Sequence, residues 1–178
     1  MSTQPEAWLR GPIAGIDPYL MPAAHALVQA SEDLERAARG LTTEQLWARP
    51  GGAAAAGFHL RHIAGVIDRL FTYARGETLN DQQRSALATE SAPGDSPPDV
   101  ESLIEDAQEA IATGLEMLRS IPREMLLEPR GVGRKQLPST VLGLLSHAAE
   151  HAQRHTGQLT TTAKIVRGMP EWQPSTTS

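Results

Sequence analysis

Apolar residues recur at three- and four-residue steps in four stretches of the chain, each bounded by proline or glycine. That spacing marks a helix with one buried face. In the first stretch Leu20, Leu27, Ala30, Leu34, Ala38 and Leu41 form the stripe, which predicts a helix over 22–39 stopped by Gly40. A short helical turn over 43–47 leads into the loop Arg49-Pro50-Gly51-Gly52. The second stretch, 55–75, places Ala55, His59, Val66, Leu70 and Tyr73 on one side and ends before Gly76. Residues 79–90 predict a short extra helix, and 91–98, rich in serine, proline and glycine, reads as a linker.

The third helix is expected over 97–120, with Ser96 as N-cap and Pro97 and Pro98 in the first turn. Its stripe is Leu103, Ala107, Ala110, Ile111, Gly114, Leu118 and Ile121, and Pro122 closes it. The segment 122–137 reads as irregular, with a brief hairpin and a basic cluster of Arg130, Arg134 and Lys135. That loop reads as solvated, with an anion contact as its functional alternative. The fourth helix is expected from about Pro138-Ser139-Thr140 to Arg167. Four amphipathic helices in one small domain give an all-α fold, a four-helix bundle with short accessory helices. The bundle is placed at 20–168, with an N-terminal extension at 1–19 and a frayed tail at 169–178.

Composition narrows the function classes. The chain has 178 residues and a net charge of −5, so it offers no positive surface for a nucleic acid. It has no cysteine, which excludes disulfides, thiolate zinc sites, iron–sulfur clusters and a thiol nucleophile. Aromatic residues make up only 4%, against an all-β sandwich or barrel. The N-terminus has neither a basic segment nor an apolar one, and no run approaches the roughly 18 apolar residues of a membrane span. The expectation is a cytoplasmic protein with no membrane partner. A homodimer through an exposed apolar helix face is also expected.

The chemistry lies in the histidines. Of the six, His59 and His62 fall on the second helix and His147, His151 and His155 on the fourth. On a wheel at about 100° per residue with His151 at zero, Leu144 lies near +20°, His155 near +40° and Leu159 near +80°. His147 falls near −40°, Gln158 near −20° and Glu150 near −100°. His151 and His155 therefore read as central to the core-facing stripe, with His147 at its edge and Glu150 outward. Buried imidazoles need partners. Histidines four residues apart on a helix present nitrogens to a common point, where a divalent metal with one more ligand from a facing helix satisfies them. His59 lies nearer the centre of its apolar arc and His62 nearer the rim, and geometry alone does not choose between them. His25 falls opposite its stripe and reads as a surface residue.

Other motif matches fail. His147-Ala148-Ala149-Glu150-His151 matches the H-x-x-E-H string of inverted zinc peptidases. That chemistry needs the glutamate beside the metal, and Glu150 points away. Paired Glu-x-x-His motifs of a di-iron bundle do not occur, and Gly131-Val132-Gly133-Arg134 lacks the Lys-Ser/Thr of a phosphate loop.

Two stretches resemble the DinB-like (YfiT-like) superfamily of four-helix-bundle metalloproteins. They are FHLRHIAGVIDRLFTYARG, with His62-Ile63-Ala64, and LLSHAAEHAQRHTGQL, with His151, His155, Gly157 and Gln158. The segment Trp47-Ala48-Arg49-Pro50 resembles the family's approach to its second helix. The chain departs from the family at 51–56, Gly-Gly-Ala-Ala-Ala-Ala, where an aromatic residue is common. The resemblance implies His62, His151 and His155 as ligands of zinc or nickel. It leaves His59 and His147 to orient the ligands or bind substrate. Three imidazoles leave a coordination position open, as in catalytic zinc sites. The resemblance then implies activation of a small thiol or a water, in a thiol-dependent transferase or hydrolase. Gln158, Arg69 and Tyr73 are candidate substrate contacts. The alternatives are a non-catalytic metal-binding or stress-response bundle, and a bundle whose histidines merely hydrogen-bond.

Overall fold

The structure is a computed structural model that describes residues 4–169. Helix α1, Met21–Ala38, carries Pro22 in its first turn, where no intrahelical N–H is required. Leu20, Leu27, Ala30, Leu34, Ala38 and Leu41 are all buried. Gly40 takes φ +77°, the left-handed conformation that lets the chain leave the helix. Helix α2, Thr43–Trp47, opens on a capping box between Thr42 and Gln45. Helix α3, Ala56–Ala74, buries Leu60, Ile63 and Ile67. Helix α4, Asp81–Thr89, has a second capping box, between Asn80 and Gln83. Helix α5 is Val100–Ser120, and helix α6, Val141–Gly168, is the longest.

The four long helices form the bundle expected from the apolar periodicity. α6 lies along both α1 and α3, and α5 also lies along both. The consecutive long helices α1 and α3 are thus diagonal to each other, and α3 is brought beside α6. Short α4 packs on α3 and overhangs a cleft of about 820 Å³ between α3 and α5. Among the described residues no helix is long and apolar enough to cross a membrane.

Several boundaries differ from those expected, each for a local reason. α5 begins at Val100 and is capped by Asp99, whose carboxylate accepts the Ser102 N–H at 2.8 Å; Ser96 is not the cap. A residue before proline is pushed out of the helical region, which disfavours a helix through Pro97-Pro98. A carboxylate also gains from the helix dipole. The expected start of the last helix, Pro138-Ser139-Thr140, instead belongs to strand β2, Leu137–Thr140. It pairs antiparallel with β1, Pro129–Val132, and Thr140 then caps α6 by accepting from Gly143 N–H. In the basic loop, Arg130 donates to Ala74 O at the end of α3 and pairs with Glu128, so it is engaged by the fold. His25 is half-buried, with Nε2 2.9 Å from Gly11 O, because the N-terminal segment covers its face of α1. The tail from 170 onward lies outside the described residues.

Candidate metal centre

The rotation of α6 sets the site. Its buried residues include Leu145, Ala148, Ala152, Thr156, Leu159 and Ala163, so the buried arc is centred about 90° round from His151. α6 packs against two helices, and its alanines serve as core on the flank that the leucines alone did not reveal. His151 and His155 therefore stand on the margin of the arc, half-buried, and not at its middle. Gln153 reaches across to α1 and donates to Ala26 O at 2.6 Å.

α3 supplies the facing imidazoles. His62 is half-buried and His59 is 4% exposed, as their places on the apolar arc require. One nitrogen from each of His62, His151 and His155 falls within 4.8 Å of the others. His62 Nε2 lies 2.9 Å from His151 Nε2, and the His62 and His155 ring centroids are 4.4 Å apart. His59 is outside this group and stands behind it, with Nδ1 3.0 Å from His155 Nδ1. Phe58 stacks on the His62 ring at 5.1 Å and meets His59 and His155 edge-on.

Two buried charges complete the setting. Glu90 accepts from His62 Nδ1 at 2.7 Å through Oε2 and pairs with Arg69 through Oε1. Burial works to raise the Glu90 carboxyl, and the hydrogen bonds from His62 and Arg69 more than offset it, leaving it below the usual carboxylate range. Burial first, and His62 second, push His59 down to about 4. Burial first, and the neighbouring histidines after it, push His155 down to about 4 and lower His151 as well. At neutral pH these three imidazoles are uncharged, the form that binds metal.

The remaining expected contacts distribute differently. Arg69 is 7% exposed and paired with Glu90. Tyr73 packs against the hydrophobic core, roughly 16 Å along the helix axis from His62 at 1.5 Å per residue. Gln158 is exposed, one consequence of the rotation of α6. His147 is exposed beside Glu150, with Nδ1 3.4 Å from Oε2, and this pair forms a second possible metal-holding group with His151. Glu150 points outward as expected and is tied up by Arg154. Sequence reasoning missed Glu90 and Phe58. Phe58 sits beside His59 and one turn before His62, which was the available signal; Glu90 is 28 positions from His62 and gave none.

The donor set fits a divalent cation. Since Glu90 accepts the hydrogen bond of His62 Nδ1–H, His62 Nε2 is a lone pair and His151 Nε2 must donate to it. His151 Nδ1 is then a buried acceptor with no partner. His62 Nε2 and His151 Nε2 thus face each other at 2.9 Å over one proton, with the His155 ring stacked beside His151, a cluster of nitrogen donors that a cation would satisfy together. Among the described residues no fourth histidine or carboxylate joins the triad. No curated protein matches the chain. The sequence model of the DinB superfamily matches residues 26–159, a span that holds His62, His151 and His155, and the chain belongs to that superfamily.

Proposed function

We propose that this protein binds a divalent metal, zinc or nickel, through His62, His151 and His155, and uses the open coordination position for thiol-dependent transfer or hydrolysis of a small molecule. The observation that carries this reading is the triad itself: three half-buried imidazoles from two helices, within 4.8 Å of one another, with no fourth donor among the described residues. Imidazole donors suit zinc and nickel alike. A closed structural site would use four protein ligands. When bound, the ion supplies Lewis acidity to whatever occupies the open position. The chain does the rest. His59 backs His155, Glu90 holds His62, and Phe58 gives the site an apolar wall against the His62 ring. The place of His151 and His155 at the margin of the buried arc of α6 leaves the site a way to solvent, which a substrate needs.

The test is metal analysis of protein purified without chelator, followed by a screen of small thiols with transferable or hydrolysable substrates. About one Zn²⁺ or Ni²⁺ per chain, lost in His155→Ala, is the expected result. No uptake at any loading overturns the reading. Uptake without turnover on any thiol or ester leaves a metal-binding protein and overturns the enzymatic half.

A further inference from the structure

α4 is an odd helix to keep. From Arg84 to Thr89 every side chain is exposed, and Leu87 is 46% exposed. Apolar burial therefore contributes little to holding it on α3. Its anchors are polar. Gln83 donates to Thr72 Oγ1 at 2.8 Å, and the Arg61 guanidinium donates to the carbonyls of Thr89 and Ala92 at its exit. Between these anchors the segment delivers one buried charged side chain, Glu90, 5% exposed.

Three features of α3 receive that carboxylate. His62 and Arg69 each donate to one of its oxygens. Gly65, between them on the same helix, leaves the space: a methyl there would run into Glu90 Oε1 and the Arg69 guanidinium. One carboxylate bridging two donors fixes both. It holds the His62 proton on Nδ1 and so keeps the Nε2 lone pair turned toward His151 and His155.

We infer that Glu90, carried by α4 and clamped by Arg69 over Gly65, is the positioning residue for the His62 ligand: it sets the His62 tautomer and thereby the affinity of the site for metal. This rests on the metal-binding reading above. Arg69 acts through Glu90 and touches neither metal nor substrate. An amide at position 90 has only one acceptor oxygen and so satisfies only one of the two donors. Glu90→Gln is therefore the informative change. The double variant Glu90→Leu/Arg69→Met serves as its partner, since it leaves His62 Nδ1 without an acceptor and leaves no unpaired buried charge.

Two readouts decide the matter on variants shown by circular dichroism to keep their helices. The first is the His62 tautomer by ¹⁵N NMR of metal-free protein: Nδ1–H in wild type, with a growing Nε2–H population in both variants. The second is the Zn²⁺ dissociation constant by chelator competition, expected to weaken about 10- to 100-fold in both. A helix that served stability alone would lower the melting temperature and leave both readouts unmoved. Wild type that loads and folded variants that load equally well overturn this inference and spare the metal site. An unchanged tautomer overturns it too. Wild type that takes up neither Zn²⁺ nor Ni²⁺ overturns both this inference and the function it rests on.

Discussion

An imidazole takes up a proton or a metal at the same nitrogen, so burial that keeps His59, His151 and His155 neutral also makes stability depend on pH. In the unfolded chain a histidine titrates near about 6.5. In the fold His59 and His155 are pushed down to about 4. Between those values the unfolded state holds protons that the native state does not, so metal-free protein loses stability as pH falls through that window. Above the unfolded value neither state is protonated and the curve is flat. Glu32 and Glu35, held low by Arg10 and Arg39, act in a different window: their contribution is present above the ordinary carboxylate range and is lost below it. Urea midpoints of the metal-free protein are therefore expected to fall from pH 6.5 toward about 4.5, with a shallower fall in His59→Gln. A midpoint that stays level across this range contradicts the neutral-imidazole account. At this scale much was legible, because His151 and His155 form a repeat within one helix. That His62 rather than His59 comes close to both His151 and His155 depends on how α3 is rotated against α6, which periodicity leaves open. Glu90 was illegible because its partners are far away in sequence.

Helix existence was readable from the apolar repeat, since every stripe residue of α1 proved buried. Helix ends depend on competition among capping groups, which periodicity does not register. At the start of α5, Ser96 and Asp99 both have capping chemistry, and the structure selects Asp99. Asp99→Ala is expected to cost about 1 kcal/mol, while Ser96→Ala stays within about 0.5 kcal/mol of wild type. Denaturant midpoints at constant slope would check this, and a larger effect at Ser96 would make Ser96 the cap. The interior of α3 gives a steeper expectation. Ile63 is fully buried beside His62, and Ile63→Ala is expected to cost about 2–5 kcal/mol through lost transfer energy and a cavity. Leu87→Ala on α4 is expected to change stability by no more than about 0.5 kcal/mol, because that side chain is already half in water.

At the scale of the molecule, the bundle follows from four apolar faces, but which helices become neighbours does not. The diagonal placement of α1 and α3 is what sets α3 against α6 and lets two separate rods share one group of nitrogens. A cation there would act as a cross-link, bound by the native arrangement and not by the unfolded chain. Free Zn²⁺ at a hundred times its dissociation constant would then add about 2.7 kcal/mol of stability by mass action. The gain should be confined in space. Amide exchange is expected to slow in α3 around His62 and in α6 around His151 and His155. The exposed stretch of α4 gains only what Glu90 transmits, and the cap of α5 gains nothing. His155→Ala should abolish the Zn²⁺-dependent rise in melting temperature while leaving the helical content of the metal-free protein intact. A rise of equal size in that variant would mean the ion binds elsewhere, the exposed His147–Glu150 pair being the next group of donors on α6. Protection that appeared in α6 without α3 would also place the ion elsewhere, since only a ligand shared by both helices ties them together.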